Sequence, residues 1–151
     1  MDSVSKVYFF FEKSGFALKK RGVLKQFIAE LFKKERKALE SINYIFCSDK
    51  KLLAINKTYL QHDFYTDIIS FDLSSGPQKR AEVYISVDRV RDNAKTFGSS
   101  FNQELHRVIF HGALHLCGYN DKSNKERISM QKKEDQYLSL YGIVPRGTPR
   151  R

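Results

Sequence analysis

The sequence predicts an α+β fold: a single domain, residues 1–151, with a mixed β-sheet of about four strands and helices packed on it. Three observations predict it. Short β-branched and aromatic runs (VYFFF, INYIFC, DIISFDL, AEVYISV) alternate with longer stretches whose apolar residues fall three and four apart, so strands and helices take turns along the chain. The third and fourth of these strand runs are separated only by SSGPQKR, a turn sequence, which makes them an antiparallel hairpin in a sheet otherwise built through helical crossovers. Finally, a chain of 151 residues with 41% apolar content is about the size of one domain and supplies one core.

The elements follow in order. Residues 4–11, bounded by Gly15, read as a strand. From about 18 to 39, Leu24, Phe27, Ile28, Leu31 and Leu39 recur near the helical period, with Lys33, Lys34, Arg36 and Lys37 opposite them: an amphipathic helix with a basic outer face. A second strand covers 42–47, and Ser48 with Asp49 caps a helix running through Lys51 to Leu60. Strands over 67–73 and 81–87 form the hairpin. Ser86 caps a helix over 87–97 that ends at Gly98. Ser100 with Gln103 opens a helix over 101–117 that Gly118 stops, and Ser123 with Glu126 forms a capping box for a last helix to about 140. Residues from about 143 to 151, ending in PRGTPRR, read as a mobile basic tail.

Composition excludes several classes. With 29% charged and 41% apolar residues the chain is neither disordered nor collagenous. No apolar run approaches the roughly 20 residues of a bilayer span, and the N-terminus lacks a signal-peptide pattern, so no membrane partner is expected. Cys47 and Cys117 lie in apolar segments without CxxC spacing and read as buried reduced thiols, which points to a cytoplasmic location. The net charge of +10 and pI near 9.6 suit a phosphate-binding surface, although a basic pI also occurs in proteins with no nucleic-acid partner.

Chemistry concentrates in one segment, from Glu104 to Asp121, which holds three of the four histidines. His111 and His115, four apart on a helix, share a face, so two imidazole nitrogens can converge on one ion. Gly118 turns the chain back, and Asp121 brings a carboxylate that completes a three-ligand set with an open fourth position for water. The plain alternative is a half-buried or surface histidine pair. His106 points to another face and reads as structural, and His62 as a loop residue. The spacing is shared with extended zinc-protease motifs, but the general-base glutamate those enzymes carry after the first histidine is here Gly112, which rather permits a close approach to the helix. Glu104, on the face of His111, is either an orienting acceptor for an imidazole or a first-turn acid favoured by the helix dipole, the second being preferred.

HGALHLCGYND resembles the His-Gly-x-Leu-His-Leu-x-Gly-Tyr-Asp-His signature of the YbeY family of bacterial ribosomal-RNA maturation factors. Upstream, Asn56 to Phe71 (NKTYLQHDFYTDIISF) is similar to that family's Asn-x-x-Tyr-Arg-x-x-Asp-x-Pro-Thr-Asp-Val-Leu-Ser-Phe segment, and Met130 and Glu134 fall where the family places a methionine and an acid. The resemblance covers about residues 40–140. It implies a single-metal endoribonuclease, with zinc ranked first, acting in small-subunit ribosomal RNA 3′ end maturation and ribosome quality control, with RNA precursors and possible contact to the small subunit as partners and no DNA expected. The family's third histidine falls on Asp121, its preceding aspartate on Asn120, its arginine on Leu60 and its proline on Tyr65. A carboxylate at 121 keeps the ligand count but offsets part of the ion's charge, and two histidines with one carboxylate are also the donor set of non-haem iron sites. Leu60 cannot clamp a phosphate, which leaves Lys57 as a candidate cation; Thr66, Asp67 and Ser70 read as turn and edge residues.

The reading that follows is an endoribonuclease whose divalent ion, on His111, His115 and Asp121, polarises a phosphoryl oxygen or delivers a bound hydroxide. The alternatives are a non-catalytic ribosome-assembly RNA-binding factor with a structural metal, and a metallohydrolase on another substrate.

Overall fold

Serine starts most of the helices. Ser48, Ser86, Ser100 and Ser123 each stand in extended backbone and accept a hydrogen bond from the N–H three residues on, satisfying an amide that the first helical turn leaves without a partner. The computed structural model describes residues 5–62 and 64–143; the tail expected beyond Ile143 lies outside the described residues. The order is β1 (Val7–Phe11), α1 (Arg21–Lys34), β2 (Leu39–Cys47), α2 (Asp49–Leu60), β3 (Ile68–Asp72), β4 (Lys79–Ser86), α3 (Val87–Phe97), α4 (Phe101–Leu116) and α5 (Asn124–Tyr141).

The expected α+β class and mixed four-stranded sheet are both present, in the order β1-β2-β4-β3. β1 runs parallel to β2 and β2 parallel to β4. β3 is antiparallel to β4, with Ile68 opposite Ile85 and Asp72 opposite Ala81, so the two runs around the Ser-Gly-Pro turn do form a hairpin. One boundary differs from expectation. α1 stops at Lys34, not near 39, because Arg36 takes a left-handed conformation (φ 60°) and the N–H of Lys37 returns to Phe32 O at 2.9 Å. Leu39, which shares the helical spacing, opens β2 instead.

Strand alternation sends Ile42, Tyr44, Phe46, Ala81, Val83 and Ile85 to one face, where they form the main core with Leu24, Ile28 and Leu31 of α1 and the apolar residues of α4. α4 is buried on most sides, and the Tyr44 hydroxyl fixes it to the sheet by donating to Ile109 O at 2.9 Å. On the opposite face Cys47 and Ile69 pack with Leu52 and Ile55 of α2. Both cysteines are free and buried, and burial pushes each thiol up to about 12, as inert structural thiols require. No helix of the described residues is long and apolar enough to cross a membrane.

Gly112 faces the sheet. A Cβ built there would meet Ile68 Cδ1 and Val83 Cγ1, each at 3.1 Å. The close approach anticipated at this position is that of the hairpin, whose Ile68 and Ser70 line the same cleft as His111 and His115.

Candidate active site

α4, α5 and β3 enclose a cleft of about 410 Å³. α4 contributes Glu104, Arg107, His111 and His115; α5 contributes Met130 and Glu134; the chain entering β3 contributes Thr66 and Asp67, with Ser70 beyond them. The turn after α4 closes the fourth side. Gly118 adopts φ 109°, a conformation that side chains disfavour, while its N–H returns to His115 O and that of Tyr119 to Leu114 O, each at 3.1 Å. The reversal carries Asp121 back over the helix, where Oδ2 lies 3.3 Å from His111 Nε2. The turn thus brings Asp121 beside His111.

Each imidazole is held by its other nitrogen. His111 Nδ1 is 2.6 Å from Glu134 Oε2, and His115 Nδ1 is 3.0 Å from the carbonyl of Tyr119. Nδ1–H donation in both cases leaves Nε2 as the nitrogen available for other work, the pattern that orients histidines toward a cation. Burial disfavours the charged form of His111, but hydrogen bonds to Asp121 and Glu134, reinforced by the charges of Glu134 and Asp67, outweigh it and hold the imidazolium up to about 10. Asp121 is pulled below the usual carboxylate range, chiefly by its hydrogen bond from His111. Among the described residues no three His, Cys, Asp or Glu side chains are drawn together as a ready cation site. The donor types present, imidazole nitrogen and carboxylate oxygen, would nevertheless suit a divalent ion, and both imidazoles are already oriented through Nδ1.

Glu134 is fixed from behind. Arg107 Nη1 donates to Glu134 Oε1 at 2.8 Å and Nη2 to Asp135 Oδ1 at 2.6 Å, so the carboxylate that orients His111 is clamped and the guanidinium charge is matched. Sequence reasoning passed over Arg107, whose partners are on another helix. Glu104 does stand in the first turn of α4, as preferred from the sequence, and it is also 2% exposed and forms part of the cleft wall. Thr66, Asp67 and Ser70, read as turn and edge residues, line the same wall. Leu60 and Lys57 do not line the cleft; the cation that does, besides Arg107, is Arg127, which braces the turn carrying Asp121 by donating to Lys122 O at 2.8 Å and to Asn124. His106 is structural as expected, buried with Nδ1 2.7 Å from Asn102 O and its ring stacked on Tyr141.

The family model described as endoribonuclease YbeY matches residues 12–142. The chain belongs to the YbeY family. It is 46% identical over 135 residues to the endoribonuclease YbeY of Cytophaga hutchinsonii, covering 89% of this chain and 94% of that one. To the endoribonuclease YbeY of Christiangramia forsetii it is 40% identical over 134 residues, with the same coverages. Its fold is similar to the solution structure of a Thermotoga maritima protein, with a TM-score of 0.59, 25% identity, and 89% of this chain and 91% of that chain covered. The two segments that resemble the YbeY signature, Asn56 to Phe71 and His111 to Asp121, are far apart in sequence and meet across the cleft. Buried Asn56 explains part of that meeting, because its Nδ2 donates to Phe64 O at 2.9 Å and so fixes the loop leading to Thr66 and Asp67.

Proposed function

We propose that this chain is a metal-dependent endoribonuclease that processes ribosomal RNA precursors of the small subunit, with one divalent ion, zinc ranked first, held by His111, His115 and Asp121. The observation that carries the reading is the histidine pair on one wall of the cleft with both Nδ1 atoms already engaged and a carboxylate delivered to the first ring. When bound, the ion supplies Lewis acidity at a phosphoryl oxygen. The chain's own residues do the remainder. Glu134, clamped by Arg107, keeps the His111 ring oriented, and the Tyr119 carbonyl does the same for His115. Arg127 stands in the cleft where a phosphate can be held. A cytoplasmic site of action and a role in ribosome quality control belong to the same proposal.

The peptidase version of a metal hydrolase has no support, because position 112 faces the hairpin and a glutamate there would be directed into Val83 and Ile68. The test is elemental mass spectrometry of the purified chain beside Asp121→Ala and Glu134→Gln, paired with cleavage of a small-subunit RNA precursor by wild type and His115→Ala. Wild type is expected to carry about one ion, Asp121→Ala to lose it and Glu134→Gln to bind it 10- to 100-fold more weakly, while His115→Ala folds but does not cleave. A His115→Ala chain without metal that cleaves fully sinks the reading. A wild type that binds RNA, retains no metal and does not cleave leaves the RNA-binding assembly factor in its place.

A further inference from the structure

The loop between α2 and β3 holds exposed aromatic rings in fixed positions. Phe64 and Tyr65 are each 55% exposed, yet the backbone beneath them is anchored at both ends. The His62 N–H donates to Asn56 O at 3.1 Å, Asn56 Nδ2 donates to Phe64 O, and the Ser86 N–H donates to Asp67 O at 2.9 Å. The rings are also ordered by their neighbours. Phe64 stacks on His62 with centroids 5.0 Å apart and planes at 20°. The Arg89 guanidinium lies 5.1 Å from the centroid of Tyr65 and is itself held by Asp49 at 2.6 Å. Single exposed aromatics need no explanation. Here two adjacent ones, pre-ordered by a histidine and an arginine, directly precede Thr66 and Asp67, which line the cleft.

We propose that Phe64 and Tyr65 form a stacking platform for unpaired nucleobases, placing single-stranded RNA on the rim of the cleft; this rests on the ribonuclease reading of the cleft itself. Three features favour RNA over a protein partner. The platform is continuous with the cleft that would hold the phosphodiester. A ring backed by a guanidinium offers a base both stacking and charge. Arg127 lines the cleft beyond Thr66 and Asp67, in a chain of net charge +10. Because the face of a base is accessible only when it is unpaired, the platform also selects single strands over duplex.

The experiment is fluorescence anisotropy of the full chain with an end-labelled, unstructured twelve-nucleotide RNA and with a duplex of the same sequence, over a salt series, with strand integrity checked by gel. Tyr65→Ala and Phe64→Ala are each expected to weaken single-strand binding roughly tenfold, Tyr65→Phe to stay within about twofold, and duplex binding to be alike in all. The slope of log Kd against log salt should not change, since no phosphate contact is removed. Alanine variants that melt like wild type and bind the single strand as tightly overturn the platform. So does an equal loss on strand and duplex, or a loss confined to binding of small-subunit protein. Cleavage is read separately: Tyr65-dependent binding by a chain that does not cleave supports the platform against the nuclease reading, and cleavage with Tyr65-independent binding does the reverse.

Discussion

A side chain at position 112 has little room, and two opposed effects decide what an alanine there does. Alanine gains about 1 kcal/mol over glycine in a helix interior. Its Cβ would stand 3.1 Å from Val83 Cγ1, on a fully buried, β-branched residue of a central strand, and 3.1 Å from Ile68 Cδ1. The isoleucine end can shift, but the valine cannot rotate without entering the core, and overpacking of this kind costs about 1–3 kcal/mol. Gly112→Ala is therefore expected to be destabilising by about 1 kcal/mol, seen in denaturant unfolding as a lower midpoint at constant slope; a raised midpoint would show that helix propensity dominates. At this scale the sequence was informative where spacing carries the information. His111, Gly118 and Asp121 are local to one helix and its turn, so the return of Asp121 toward the helix could be read from spacing. Arg107 could not, because what defines it is a pair of carboxylates supplied by α5.

At the scale of elements, caps were legible and the end of α1 was not. A serine with a partner three residues on is a local signal, and all four serine caps are made. The one at Ser123 is complete: its hydroxyl accepts from the Glu126 N–H at 3.1 Å and Glu126 Oε1 accepts from the Ser123 N–H at 2.9 Å, with the Lys122 N–H at 3.1 Å as well. The box begins α5 two residues after Asp121, so it also sets the exit of the turn that carries Asp121. Ser123→Ala should cost about 1 kcal/mol, a fall in Tm of about 2–4 °C for a chain of this size, checked by thermal unfolding; an unchanged Tm would mean that the start of α5 is fixed by packing alone. The end of α1 depends instead on Arg36 in a conformation that arginine rarely adopts, and nothing in its identity announces this.

Across the whole molecule, Glu35 joins parts that the sequence keeps far apart. At the C-cap of α1 and only 11% exposed in its side chain, it accepts hydrogen bonds from Tyr119 at 2.8 Å, from Tyr137, and from Lys133 at 3.2 Å. Its partners thus come from the turn carrying Asp121 and from α5, and the Tyr119 it holds is the residue whose carbonyl orients His115. Burial favours the neutral acid, but the hydrogen bonds from Tyr137, Tyr119 and Lys133, with the charge of Lys133, prevail and lower its pKa from the ordinary 4.5. The sign of the linkage follows. Above about pH 4.5 Glu35 is ionised in both folded and unfolded chains, and its contribution is fully present. As pH falls below that value the unfolded chain takes up the proton first, so stability is lost progressively until the folded-state pKa is passed. Glu35→Gln keeps the shape and removes the titration. The expected result is a variant less stable than wild type at neutral pH, whose deficit narrows as the pH is lowered below 4.5 in a series of urea unfolding curves. A deficit that stays constant through that range would mean that Glu35 acts by shape and neutral hydrogen bonding alone, leaving its charge no part in holding the turn of Tyr119 and Asp121 to α1 and α5.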